Sequence, residues 1–459
     1  MMKLMKVTLA AILILALTAS AQETRQLTLD QAIDIAIGNN PLVKAKKADV
    51  KAAESKMEQA RSYEVPTVNL MSQYFYANNL PGMFLQGPNQ IPVMTSSGPV
   101  SGEYVVTRPM APFADENRDV FTTDINLVYP LYTGGKISKA NENAGILKEA
   151  ATSDLNEQKD QIAFNVTTAF DNVLLLEKVI EVNKQALKQF EDHLELAKQA
   201  YANGVRSEFD VLTFESKVDE FKAKLVDLEG KLDLAESGLK SLLVLPLGEN
   251  IDCVGGLQLP DSTGPSDSLD VYSQAVAHNY QLKSLRLKKQ MLENLKTITA
   301  AEMKPTIFLF GNYHVYHGMD FPPYDNAWRN GLAAGIGLSM PIFNGNLTKG
   351  KVDEVDASES MVSDYEEGMT IKLRFDIKNV LINVQNLRAR MSAEEVHLKV
   401  ASKAHEIAKV SYQNGIITAT ELNDAEVQVA AVQTSILNYQ KDILLEYAEL
   451  NYLESKGAQ

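Results

Sequence analysis

Few side chains in this sequence could make or break bonds, and they are poorly spaced for it. Six histidines (His193, His278, His314, His317, His397 and His405) show no HExxH run and no paired metal spacing. Cys253 is the one cysteine, so no intramolecular disulfide can form. There is no nucleophile elbow, phosphate loop or dinucleotide fingerprint. Met83, Met94 and Met110 share a proline-rich stretch, but no Cys or His stands beside them to complete a soft-metal site. The sequence thus predicts no catalytic residue, no cofactor and no metal, and the chain does not read as an enzyme. What remains is charge. Glu421 and Asp424 stand three apart, which puts both carboxylates on one helix face. Such a pair attracts cations where it lines a narrow passage and is merely solvated elsewhere.

The elements that place these charges are duplicated. Tyr201-Ala-Asn-Gly204 recurs as Tyr412-Gln-Asn-Gly415, and Tyr129-Pro-Leu-Tyr-Thr-Gly134 recurs as Met340-Pro-Ile-Phe-Asn-Gly345, both offset by 211 residues. Upstream, Asn40 to Lys44 matches Asn279 to Lys283 and Pro66 matches Pro305, now offset by 239. The difference of 28 residues (239 − 211) falls between Pro66 and Pro130. Insertions are tolerated in exposed loops, so the offset change locates one. Two tandem repeats are expected, residues 22–245 and 269–459, joined by a linker at 246–268 rich in Gly, Pro, Ser and Asp that would sit outside the helical layer.

Residues 1–21 read as a secretory signal. Lys3 and Lys6 give the positive start, Val7 to Leu17 the apolar run, and Ala19-Ser-Ala21 the cleavage site. That run is 11 residues, too short to span a bilayer. Losing the two lysines takes the formal charge from −15 to −17. Such acidity disfavours nucleic acid as a partner.

Four segments alternate with period two: 67–76, 121–129, 307–316 and 332–340. In the last, Leu332, Ala334, Ile336, Leu338 and Met340 share one face, with Ala333, Gly335, Gly337 and Ser339 on the other. Each is about 10 residues, the length of a tilted membrane-spanning strand. The first pair is joined by a long loop (77–120) with six prolines, the second by a short one carrying Trp328. Four strands cannot close a barrel, and an open edge in lipid leaves backbone groups unpaired. If the strands span a membrane, other copies of the chain must supply the rest.

The remainder reads as helix with a 3.5-residue period. Val211, Val218, Leu225, Leu232 and Leu239 are seven apart, with Phe214, Phe221, Leu228, Ala235 and Leu242 as their companions. The second repeat copies them as Leu422, Val429, Ile436, Ile443 and Leu450. The preceding helices carry Val166 to Tyr201 and Ile377, Val384, Met391, Leu398, His405 and Tyr412 at the same interval. Residues 135–203 alone would make a helix of roughly 100 Å. Residues 41–64 and 208–245 together nearly match that length, so two short helices should stack end to end against one long one.

With Leu27-Thr-Leu-Asp30-Gln-Ala-Ile33 followed by Asn39-Asn-Pro41, the duplicated Tyr129–Gly134 and Met340–Gly345 motifs at the strand ends, and the two Gly turns with Phe209-Asp210-Val211 and Thr420-Glu421-Leu422, the chain resembles the TolC-type outer-membrane efflux protein family. The resemblance implies a mainly α fold with β, trimeric, with a 12-stranded outer-membrane β-barrel continued by a long periplasmic α-helical barrel. It implies a Gram-negative outer-membrane channel-tunnel exporting small molecules or proteins in a tripartite efflux or type I secretion complex. The implied partners are a homotrimer, a periplasmic adaptor (membrane fusion) protein, an inner-membrane transporter and outer-membrane lipid. By the same resemblance Gly204, Val205, Gly415 and Ile416 are adaptor-contact tips. Glu421 and Asp424, with Asp210 and Arg206, become a periplasmic gate. The family's locking basic residue lies two after the second-repeat Gly, where this chain has Ile417; Arg206 takes that place in the first repeat. An exported coiled-coil structural or adhesion protein without transport is the alternative, but it leaves the four amphipathic strands unexplained.

Overall fold

The computed structural model describes residues 25–77, 89–95, 98–107, 118–260, 268–318 and 327–456. The expected signal and the methionines Met83 and Met110 lie outside these residues. In chain order the elements are β1 (Arg25–Leu27), α1 (Leu29–Asn39), α2 (Pro41–Arg61), β2 (Thr67–Ala77), β3 (Asn89–Thr95), β4 (Gly98–Thr107), β5 (Arg118–Tyr132), α3 (Lys136–Ala202) and α4 (Glu208–Leu243). Then follow β6 (Ile251–Cys253), α5 (Ser268–His278), α6 (Tyr280–Ala300), β7 (Thr306–His317), β8 (Arg329–Ser339), α7 (Leu347–Gln413) and α8 (Ala419–Leu453). The chain divides into two compact units; one comprises residues 49–151 and 285–365, the other the rest of the described chain.

The first unit holds an antiparallel sheet of order β2-β5-β7-β8, so β2 and β8 are its edges. Register sorts its faces. Val68 pairs with Leu127, Leu127 with Gly311 and Gly311 with Ala334; Leu70, Ile125, Tyr313 and Leu332 form the next row on that face. The alternate rows are polar: Asn69, Asn126, Asn312 and Ala333, then Met71, Asp124, His314 and Gly331. There Asn312 Nδ2 donates to Asn126 Oδ1 at 2.6 Å, and His314 Nδ1 meets Asp124 Oδ1 at 2.6 Å. The apolar face is open, with Leu332, Ile336 and Leu338 each about 70 % exposed or more. Gly335 and Gly337 share the polar side with Phe310 and Phe308, whose rings lie over them; a Cβ at Gly335 would meet the Phe310 ring at 2.9 Å. The glycines thus clear space for two aromatic rings. Pro130 lies beyond the last β2 partner, where its missing N–H costs no bond on that side.

Residues 77–120 are not the bare loop expected. They contain a second antiparallel pair, β3 with β4. Pro92 and Pro99 masked it in the sequence, but a two-stranded ribbon is all edge and tolerates proline, and the register slips between Pro92 and Met94.

In the helical unit the seam residues are the core. Phe214, Val218, Phe221, Leu225, Leu228 and Leu239 of α4 are buried, as are Leu422, Ile443 and Leu450 of α8. Asparagine governs the stacking in both repeats. Asn40 Oδ1 accepts from Leu42 N at 2.8 Å and Asn279 Oδ1 from Leu282 N at 3.1 Å, starting α2 and α6. Asn39 Nδ2 donates to the Leu243 carbonyl (3.4 Å) and Asn279 Nδ2 to that of Leu453 (3.1 Å). The ends of α4 and α8 therefore meet the starts of α2 and α6, as end-to-end stacking requires.

The described part of the expected linker, residues 246–260, does not stay outside the helices. Ile251 and Cys253 are buried and β6 pairs in parallel with β1, while Leu257 joins the core of Phe170, Val173 and Leu174. Three alternating residues are too short a strand to detect by period. Burial pushes the Cys253 thiol up to about 12, so it behaves as an inert apolar side chain.

Candidate functional site

The residues singled out by sequence sit at two helix turns of the helical unit. Between α3 and α4, Gly204 has φ +72° and its N–H bonds the Tyr201 carbonyl at 2.8 Å, while Val205 N bonds Ala200 O at 2.9 Å. Between α7 and α8, Gly415 has φ +77°, with Gly415 N to Tyr412 O and Ile416 N to Ser411 O, both 2.9 Å. This is one helix stop made twice, and the left-handed residue it needs is the repeated Gly. Ser207 and Thr418 then cap α4 and α8. Val205 and Ile416 project at the two turns, each 74 % exposed, with Phe209 also exposed.

Arg206 joins the two turns. Its Nη2 donates to the Tyr412 carbonyl, its guanidinium lies 4.2 Å from the Tyr412 ring centre, and Nη1 is 3.9 Å from Asp210 Oδ2. The two charged side chains are only 16 % and 13 % exposed. The ion pair is at the outer limit of such contacts, so Tyr412 is the stronger partner. Tyr412 itself is buried, edge-on to Phe214 at 5.5 Å, and burial raises the pKa of its phenol above the ordinary value. Tyr201, its counterpart in the first repeat, is exposed. The repeats are thus unequal here, and the Tyr412 floor beneath Arg206 was not legible from a motif that both share.

The acids separate into two kinds. Asp210 is tied to Arg206, whereas Glu421 and Asp424 are exposed on α8 and neither has an ion-pair partner among the described residues. Glu421 also has a local task. Its Oε2 accepts from Thr418 N at 2.8 Å and from Thr418 Oγ1 at 2.9 Å, closing a capping box. Those bonds, the backbone one first, hold its carboxyl below the usual range, so it carries its charge readily. Glu421 is thus more than half of a charge pair, and the Thr-x-x-Glu spacing is the signal in the sequence for this second role.

The histidines also differ from expectation. Without any local spacing, His193 of α3 and His405 of α7 come together with Glu426 of α8, their ligand atoms within 4.8 Å of one another. A set drawn from three helices leaves no short motif. The signal that was available is His405 standing at a seam position that is otherwise apolar.

A family profile described as outer membrane efflux protein matches residues 32–243 and 271–453, one match in each repeat. Among curated relatives, the fusaric acid resistance protein FusA of Burkholderia cepacia is 22 % identical over 342 residues, 72 % of this chain and 58 % of the relative. The alkaline protease secretion protein AprF of Pseudomonas aeruginosa is 19 % identical over 342 residues, 74 % of this chain and 70 % of the relative. Among solved structures, the outer membrane protein VceC of Vibrio cholerae has the same fold, with a TM-score of 0.73 at 20 % identity over 94 % of this chain and 97 % of that one.

Proposed function

The chain belongs to the outer membrane efflux protein family, and from that premise we propose that three copies build an export channel in the outer membrane of a Gram-negative bacterium. The family is one of outer-membrane channels, not of enzymes, and the structural or adhesive coiled-coil alternative is disfavoured. The observation that carries the assembly is the sheet: four strands, unpaired edges at β2 and β8, one apolar open face and one polar face. Unpaired backbone groups in hydrocarbon each cost several kcal/mol. Three such sheets joined edge to edge give twelve strands and no edge, with the Asn126–Asn312 and Asp124–His314 rows facing a water-filled lumen.

On this reading the helical hairpins run through the periplasm, and the Gly204 and Gly415 turns, with Val205 and Ile416 exposed, meet a periplasmic adaptor protein. The adaptor links the channel to an inner-membrane transporter, whose identity sets the cargo. One relative is named for resistance to fusaric acid and another for secretion of a protease, so small molecules and proteins are both within the proposed class. Residues 1–21 act as the export signal.

Mass measurement of the full chain in detergent should give three copies; a stable monomer, or an eight-stranded dimer, would sink the proposal. The facing of the strands has its own test. Ile336→Arg should lower assembly by about 2–4 kcal/mol near the bilayer midplane. The control is Ala333→Arg on the polar row beside Asn312, because Gly337 is covered by the Phe308 ring and any side chain there collides with it. If the two variants assemble equally well, the faces are assigned the wrong way round.

A further inference from the structure

The export reading leaves three buried groups without a role. His193 is 4 % exposed and Glu426 2 % exposed, and the His405 side chain is 16 % exposed. They lie among Phe190, Phe214, Leu422 and Ala430, with the His193 ring 5.6 Å from that of Phe214. His405 Nε2 lies against Glu426 Oε2, yet neither atom makes a hydrogen bond of acceptable geometry, and His193 Nε2 has no partner among the described residues. Asn423, one helical turn before Glu426, is 1 % exposed and both of its amide atoms are unpartnered among the described residues. Burying a carboxyl group and unpaired polar atoms in an apolar core is costly unless something satisfies them. In the first repeat the equivalent of Glu426 is Glu215, 211 positions earlier, and it is exposed. The burial is therefore specific to this place and not a property of the repeat.

We propose that His193, His405 and Glu426 form a binding site for a first-row divalent cation, zinc above all, joining α3, α7 and α8. Two imidazoles and a carboxylate are a zinc donor set, and ligands at about 2.0–2.2 Å from the ion stand roughly 3.3 Å apart. The three ligand atoms, all within 4.8 Å, need only small rotations to reach that spacing. Burial lowers the pKa of His193, which keeps its ring neutral and its nitrogen free to bind. Glu426 and the nearby Asp192 offset the ion's charge, whereas Lys409 opposes it. Borderline-soft N and O donors favour zinc, cobalt, nickel or copper over calcium and magnesium. An ion here would pin three helices together about 10 Å from the start of α8, since Glu426 lies seven residues beyond Ala419 at 1.5 Å each.

The test uses the untagged full chain in detergent, stripped with chelator and titrated with zinc alone, then with cobalt alone. The expected result is one zinc per chain, a cobalt absorption spectrum of low-coordinate type that zinc abolishes, and higher thermal stability in the loaded form. Glu426→Gln and His193→Gln should each weaken zinc binding about tenfold or more. His397→Gln, on the exposed face of α7 where His397 pairs with Glu394, should leave it unchanged. If either buried variant misfolds, the wild-type titration decides. No saturable zinc binding, or cobalt in a purely aqua-like spectrum, means that His405 and Glu426 only contact each other and hold no ion. Loss of binding in His397→Gln would equally overturn the site.

Discussion

Arg206→Ala is expected to raise the resting conductance of the channel in planar bilayers by an order of magnitude or more. The guanidinium makes three contacts: a charge-assisted bond to the Tyr412 carbonyl, a face-on approach to the Tyr412 ring at 4.2 Å, and an ion pair to Asp210 at 3.9 Å. The first is worth about 1.5–3 kcal/mol, the second about 0.5–2, and the third, at the edge of range, less than about 1. They share one side chain and do not add, so about 2 kcal/mol is a fair net for the clasp. That figure corresponds to roughly thirtyfold in the equilibrium between clasped and separated turns. Asp210→Asn should have a smaller effect, because the Tyr412 contacts survive. Arg206→Lys should fall between, since an ammonium lacks the planar fork that serves ring and carbonyl together. Mass measurement must show the trimer intact in each. If Arg206→Ala lowers thermal stability but conducts like the parent, the clasp fastens one hairpin to the other and does no gating.

How much of this was legible in the sequence depends on distance along the chain. The repeat offset, the four long strands and the seams of α4 and α8 rest on periods within one element, and each was readable. So were Gly204 and Gly415, because a helix stop with φ above +70° has one favoured residue. Contacts between distant segments were not. β6 finds its partner β1 more than two hundred residues upstream, and three residues carry no period. Phe308 and Phe310 cover Gly337 and Gly335, which looked like a featureless small-residue face until the register placed aromatic rings over it. Tyr412 and Tyr201 occupy the same motif, yet only one is buried, because Arg206 and Phe214 approach it from the other repeat. His193, His405 and Glu426 belong to three helices, and only the mismatch of His405 with its apolar seam hinted at a polar interior.

Neutralising Glu421 and Asp424 together is expected to weaken cation preference, and block by multivalent cations, by roughly tenfold, without disturbing assembly. Both carboxylates are exposed beyond the Gly415 turn with no cation paired to them among the described residues, and three chains would bring six to one mouth. Alanine is the blunter replacement at Glu421, because it also removes the bonds to Thr418 N and Oγ1 and so costs about 1 kcal/mol of helix start. Glu421→Gln keeps a capping-box residue while removing the charge, and Asp424→Asn does the same in side-chain size. If charge is the cause, the amide pair and the alanine pair should lose selectivity equally, and only the alanine pair should lose stability. The capping bonds hold the Glu421 carboxyl below its ordinary pKa, so its share of the selectivity should persist as pH falls through the usual glutamate range. Should the amide pair select and block like the parent, these carboxylates are a solvated helix face, and the constriction must be sought among other side chains near the turns.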